Sequence, residues 1–521
     1  MFKVYRGLTI AFGVWLIVWL WLSWPAMQDD AFIHLRYAAN LLQHHMISYD
    51  GVHPDYGTSS LLYVWLLAAL RSFCTSPVLP RMLSSIFHLL LFGGLVWGFA
   101  VALRAAPKIA WGFALLLIGL LVAPVAVRWL DDGMETSLTL CLISLIAFSV
   151  SRLGHSDEIS NSDLAWLFIL GLVATLTRVE YLLLLAVASL TLFAARLSLP
   201  DRRAGQRHLS ARLVLALHCG APLCGSVLGA AIIFYTMHSL LPDTAVAKAD
   251  GSGAWLGTLL AILSVFVSSM SIGVILLSLW VLTSAAVTAY SRRLSPPILL
   301  ANSLFPITVL LAVMRGQKVQ GIRYFLWTLL FPILWNILEL RWTNSVSRRS
   351  LTRILQFATY GLAGAFALLI PIESRLLFKE FRARTASLAL LQTQHLERLK
   401  PLTLVAYDIG YIGYFTGSPV CDMAGLVNGK DRARLSTEQR VRICAAAHPE
   451  YAFLTRPGMG NLNNSLDLSA WSVCSVYDFA NLRASDLHYL IASPAATAEV
   501  CAAAGSSPQP LEKLLHPSSA R

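Results

Sequence analysis

Along this chain, apolar residues gather in runs of about twenty separated by short polar turns, as far as residue 372. A run of about that length crosses a hydrocarbon core of ~30 Å as a single helix. Taken one run per span, the pattern predicts crossings near 8–24, 82–103, 109–127, 134–150, 164–177, 181–196, 213–236, 255–290, 297–314, 325–342 and 354–372. That is about eleven spans. Residues 59–73 are also apolar, but a crossing there would invert the parity of the loops that follow. They are expected to be re-entrant or to lie in the interface. The stretch 255–290 is too long for one plain span and is read as a span with an interfacial half.

Beyond residue 372 the pattern changes. An amphipathic, charge-rich stretch (Glu373–Lys400) leads into Leu402–Tyr407, which reads as a buried strand. Further strands are expected at Tyr451–Leu454 and Leu487–Ala492, with helical patterns between them. The chain therefore divides into a transmembrane core over 1–372 and a small α/β domain over 373–521. The Ser- and Pro-containing tail from Ala502 is expected to be loose.

Composition agrees with the periodicity: 56% of residues are hydrophobic and 13% are charged, outside the soluble range. The first apolar run shows no small-residue cleavage signature and carries Trp19, Trp21 and Trp24, which suit an interfacial belt; it reads as a retained anchor. The net charge of +12 is no nucleic-acid footprint, because the cations collect in short loops: Lys3/Arg6, Arg104/Lys108, Arg196–Arg212, Arg292/Arg293 and Arg341–Arg353. The positive-inside bias makes those loops cytoplasmic, which puts the C-terminal domain outside. Cys421, Cys444, Cys474 and Cys501 fall in that domain. An oxidising location would permit disulfides, with all three full pairings open. The absence of CxxC spacing argues against zinc. Cys219 and Cys224 read as packing residues within a span.

This topology places the unusual polar residues on the outer side. Asp29 and Asp30 stand where the first apolar run ends. Ionisable pairs at a bilayer edge suggest function, although one Asp could simply cap the following helix. On a helix starting at Asp30, His34 and Tyr37 share a face while Phe32, Leu35 and Leu42 lie on an apolar one. Such a helix is expected to rest on the membrane surface and present Asp30 and His34 to a groove, with Tyr56 in the same outer loop. Asp131, Asp132 and Glu135 form a second acidic group, for which a capping box is the plain alternative. Arg128 beside it is a candidate phosphate ligand. Arg178 and Glu180 are the only charged residues between Leu164 and Ala195, and they predict a break between two spans facing a polar cavity. Lys248 and the Arg315–Arg323 segment add outer cations that could meet a phosphate.

Carboxylates and cations at an outer membrane edge suit a sugar carried on a lipid phosphate. The leaving phosphate is already a stabilised anion, so the chemistry left to the protein is deprotonation of an acceptor hydroxyl by one Asp. The second carboxylate could orient the first, bind a sugar hydroxyl or hold a divalent cation, Mg or Mn. Such a one-step displacement inverts the anomeric centre. A transporter or flippase of lipid-linked sugars is the alternative; it would favour midplane polar groups and internal repeats, and neither is seen.

Six short motifs stand in order along the chain: Asp29-Asp30-Ala31-Phe32-Ile33-His34-Leu35-Arg36-Tyr37, Gly133-Met134-Glu135-Thr136, Thr177-Arg178-Val179-Glu180, Pro242-Asp243-Thr244 through Lys248, Arg323-Tyr324, and Asp408-Ile409-Gly410 through Asp422-Met423-Ala424-Gly425-Leu426. Their order resembles that of bacterial GT-C-fold glycosyltransferases, especially the terminal arabinofuranosyltransferase family. Asp29-Asp30-Ala31-Phe32-Ile33-His34-Leu35-Arg36-Tyr37 resembles its opening motif, and Gly133-Met134-Glu135-Thr136 its Gly-Leu-Glu-Thr. Thr177-Arg178-Val179-Glu180 is similar to Thr-Arg-Pro-Glu, with Val179 replacing Pro. Pro242-Asp243-Thr244 through Lys248 is similar to Pro-Asn-Thr…Lys, with Asp243 replacing Asn, and Arg323-Tyr324 matches a late Arg-Tyr. Asp408-Ile409-Gly410 through Asp422-Met423-Ala424-Gly425-Leu426 looks like the family's element in the soluble domain. The resemblance implies a multi-pass GT-C core in the bacterial inner membrane with an extracytoplasmic C-terminal domain. It also implies a polyprenyl-phosphate donor carrying a sugar such as arabinofuranose, a glycan, lipid or protein acceptor in the cell envelope, and one of Asp29 and Asp30 as catalytic base. Donor-phosphate contacts would then fall to Arg178, Lys248, Arg323 and Arg128. Substrate positioning would fall to His34, Glu135, Glu180, Tyr56, Asp131 and Asp132.

Overall fold

The structure, a computed structural model, describes residues 2–105, 124–156, 158–198, 209–249, 256–260, 262, 296–315, 323–342, 349–480 and 485–511. Most of the expected spans 109–127 and 255–290 lies outside the described residues. The apolar runs of the N-terminal part form, among the described residues, helices joined by loops. Among the described residues, Leu79–Gly98, Thr136–His155 and Pro296–Met314 are helices long and apolar enough to cross a membrane. The run expected as one span at 213–236 is instead two helices, Leu209–Cys219 and Ala221–Met237, bent by 54° at Gly220. Cys219 is buried there, whereas Cys224 is exposed on the helix surface rather than packed.

The helix Leu61–Arg71 occupies the segment expected to be re-entrant or interfacial. Its 11 residues span only about 16 Å, too short for a hydrocarbon core. Asn161–Thr177 and Tyr181–Leu197 are separated by an extended Arg178, whose φ of −156° breaks the helix where the charged pair predicted a break.

One 45-residue helix, Arg349–Thr393, runs continuously through the expected domain boundary at 372 and leads into the C-terminal domain. That domain is a six-stranded sheet in the order β2-β1-β3-β5-β4-β6, with β1 (Leu404–Ala406), β2 (Val420–Asp422), β3 (Tyr451–Thr455), β4 (Ser472–Asp478), β5 (Leu487–Ala492) and β6 (Gln509–Pro510). β1 pairs in parallel with β2 and β3, and the remaining pairings are antiparallel. The chain leaves β1 through the helix Ile409–Thr416 to β2 on one side. It returns through Thr437–Ala446 to β3 on the other, so the winding reverses at β1. The three expected strands correspond to β1, β3 and β5. β4 was hidden because a bulge between Val473 and Ser475 breaks its alternation. Of the tail expected to be loose from Ala502, the first residues complete the helix Thr497–Ala503 and add β6 to the sheet, while 512–521 lie outside the described residues. Cys421 pairs with Cys444 and Cys474 with Cys501, which selects one of the three pairings left open.

Candidate active site

The helix Asp29–His44 does not lie open on a surface. Residues 31–38 are all buried, because the helix is clamped between the bundle and the sheet domain. Asp29, Phe32 and Arg36 follow i, i+3, i+7 spacing and so share one face. Phe32 packs against Tyr411, Tyr414 and Phe415 of the C-terminal domain, with ring centroids 5.2, 5.6 and 5.6 Å away. Asp30 and His34, at i and i+4, point the other way, into a cavity of ≈ 690 Å³.

The two aspartates thus part company. Asp29 Oδ2 and Oδ1 accept hydrogen bonds from the backbone N–H groups of Gly410 (2.8 Å) and Tyr411 (2.7 Å). Burial, reinforced by Asp408, pushes the Asp29 carboxyl well above the usual carboxylate range, against the pull of those two amides. Asp30 lines the cavity. The capping alternative takes an unexpected form: the N-cap of this helix is Gln28, which makes no side-chain cap bond, and Asp29 caps a different helix.

The polar end of the cavity is an ionic network. Arg178 Nη1 donates to Glu135 Oε1 at 2.8 Å, and Arg178 Nε donates to Glu180 Oε1 at 2.6 Å. His34 Nε2 lies 3.3 Å from Glu135 Oε2, and its Nδ1 lies 2.8 Å from Thr58 Oγ1. Ser59 Oγ donates to Glu135 Oε1 at 2.9 Å. Glu135 is 1% exposed and sits behind Arg178, so it orients the guanidinium rather than lining the cavity. The capping-box alternative for Asp132 and Glu135 is not formed, since Glu135 makes no cap bond to its helix.

Lys248 and Arg315 also line the cavity, whose walls are otherwise mostly apolar, including Leu182, Leu241, Phe325 and Trp327. Arg315 belonged to the outer segment singled out in the sequence, but Arg323 was the residue expected to bind. Arg323 begins the helix Arg323–Trp342, and its side chain lies outside the described residues.

Three expected contributors stand elsewhere. Arg128 Nε donates to Glu380 Oε1 at 2.9 Å, and its guanidinium stacks 4.5 Å from the Trp129 ring centroid, away from the cavity. Asp131 Oδ2 lies 2.7 Å from His88 Nδ1, and both side chains are fully buried in the bundle. Asp132 Oδ1 accepts the Met134 N–H at 3.0 Å and shapes the turn before Glu135. Their clustering in sequence was misleading because consecutive residues in this turn face different sides.

Tyr56 is buried beside the cavity, and its backbone pairs with Asp243: the Asp243 N–H donates to Tyr56 O at 2.7 Å, and the Tyr56 N–H to Asp243 Oδ2 at 3.3 Å. This joins the loop after the helix Asp29–His44 to the segment that carries Lys248. Among the described residues, no group of three or more His, Cys, Asp and Glu could hold a metal ion.

Asp55, in the same loop, accepts from the Tyr49 N–H (2.8 Å) and the Gly57 N–H (3.2 Å). Burial pushes its carboxyl up to about 7, against those amides, with Asp243 adding to the rise. Its folded pKa lies above the unfolded value of ~3.9, so the native state binds the extra proton and stability falls as pH rises through 7. The melting temperature in detergent is expected to drop between pH 6 and 8. Asp55→Asn should flatten that interval while leaving the contribution of Asp422, which burial raises to about 6.

Fold and cavity together define a class: a core of apolar helices with a charged cavity at one end, clamped to a small sheet domain. Within that class, the chain shares its fold with ArnT from Cupriavidus metallidurans. The structure of ArnT bound to undecaprenyl phosphate matches with a TM-score of 0.51 at 15% identity, covering 93% of this chain and 98% of that chain. ArnT in the apo state matches with a TM-score of 0.51 at 15% identity, covering 97% and 99%. A family described as a domain of unknown function (DUF8728) matches residues 379–498, the end of the long helix and most of the sheet domain. No curated protein matches the sequence.

Proposed function

We propose that this protein is an inverting membrane glycosyltransferase. It moves a sugar from a polyprenyl-phosphate donor to a cell-envelope acceptor on the outer face of the bacterial inner membrane. The observation that carries this reading is the composition of the cavity: Asp30, His34 and Glu180 line it together with Arg178, Lys248 and Arg315, and its other walls are mostly apolar. An apolar chain partitions against such walls, and its phosphate needs cations where it emerges. The shared fold with ArnT, whose structure holds undecaprenyl phosphate, supports the same ligand class. The two disulfides support an extracytoplasmic C-terminal domain.

In the reaction, Asp30 takes the proton of the acceptor hydroxyl as that oxygen attacks the anomeric carbon. The bond from that carbon to the phosphate oxygen breaks, and its electron pair leaves with the lipid phosphate, held by Arg178, Lys248 and Arg315. The ordered motifs support a pentofuranose such as arabinofuranose as the sugar.

The test is a proteoliposome assay with a panel of polyprenyl-phosphate sugars and envelope glycan acceptors. Expected are release of free polyprenyl phosphate and a product whose anomeric configuration is opposite to the donor's. Movement of intact lipid-linked sugar across the bilayer without release would replace this reading with a flippase.

A further inference from the structure

The helix Ile409–Thr416 is gripped at both ends by one face of the helix Asp29–His44. A helix leaves its first amide groups and last carbonyl groups without internal partners. Here the amides of Gly410 and Tyr411, the second and third helical residues, donate to Asp29, which is 381 positions from Gly410 in sequence. Asp408 holds the N-cap position but makes no cap bond, and its carboxylate instead meets His488 Nε2 at 2.5 Å. At the other end, Arg36 donates through Nη1 to Gly413 O and through Nη2 to Ser418 O (2.9 Å), while its Nε holds Tyr49 O at 2.7 Å. Tyr411 Oη donates to Met27 O at 2.6 Å, and Tyr49 Oη to Ile409 O at 2.6 Å.

Gly410 makes the fit possible, because a Cβ there would overlap the Asp29 carbonyl oxygen. The turn lies at the carboxyl end of β1, where the winding reverses. In open α/β sheets that crevice is the usual place for a ligand. In this chain, part of the crevice receives the core's own side chain.

We infer that Asp29 and Arg36 are positioning residues: they lock the C-terminal domain onto one face of the helix Asp29–His44, and so fix the roll of Asp30 and His34 on its other face. This rests on the glycosyltransferase reading for its kinetic consequence only. The docking itself is read without activity.

The experiment compares wild type with Asp29→Asn and Gly410→Ala in the full-length protein. Hydrogen exchange at 409–416 and 29–44 is measured alongside turnover at saturating and limiting donor. Both variants are expected to lose protection at Gly410 and Tyr411. Both should lower kcat by about 10²-fold, the cost of a misplacement of ~1 Å, with KM for the donor nearly unchanged. Gly410 can do no chemistry, so its agreement with Asp29→Asn identifies positioning. If Asp29→Asn abolishes turnover while Gly410→Ala is fully active, Asp29 acts on the reacting atoms and the inference falls. It falls equally if protection is lost in both but kcat holds. Should Gly410→Ala fail to accumulate, Arg36→Met tests the same lock from the other end of the helix. A wild type that transfers no sugar removes the glycosyltransferase reading, while the exchange data still decide whether the lock exists.

Discussion

Asp30→Asn is expected to lower sugar transfer by about 10²–10⁴-fold, the usual contribution of a positioned general base. The amide keeps the size and much of the hydrogen bonding of the carboxylate but takes no proton. Binding of polyprenyl phosphate should therefore remain near the wild-type value, since the cations at the cavity are untouched. Thermal stability should also hold, because the amide matches the carboxylate in size and the bonds to Gly410 and Tyr411 are made by Asp29. The checks are single-turnover rate, donor affinity by scintillation proximity, and melting temperature, measured on the same preparation. A variant that keeps more than about a tenth of wild-type turnover would remove Asp30 as the base.

The sequence showed the two aspartates together but could not separate them. Periodicity put Asp30 and His34 on one helical face, and the structure keeps them there, lining the cavity. What periodicity could not show was a second buried face. Phe32 reads as a membrane-facing residue from its own neighbours, yet it packs on aromatic rings nearly 400 positions away in the chain. Arg178 and Glu180 were legible because charge inside a long apolar stretch is costly unless the helix opens there. Arg128 and Asp131 were not legible. Their partners, Glu380 and His88, come from helices whose rotation depends on packing and not on local pattern. The sheet domain was partly legible: continuous apolar runs mark β1, β3 and β5, whereas the two-residue edge strand β6 has no such mark.

Arg178→Met is expected to do two separable things. It leaves Glu135, 1% exposed, without the cation that holds it at 2.8 Å, and breaking a buried pair from one side costs about 3–5 kcal/mol. It also removes a charged donor from the cavity, so affinity for polyprenyl phosphate should fall by about tenfold or more, in line with a lost charge-assisted bond of ~1.5–3 kcal/mol. A double variant divides the two effects. Replacing a buried pair by apolar residues of similar size is often neutral or stabilising, so Glu135→Leu with Arg178→Met should recover most of the melting temperature. It should recover none of the phosphate affinity, because no cation returns to the cavity. His34 would lose its Glu135 partner in that variant, and turnover should stay low for that reason as well. Recovery of both stability and affinity in the double variant would mean that Arg178 only balances Glu135, and that Lys248 and Arg315 hold the phosphate without it.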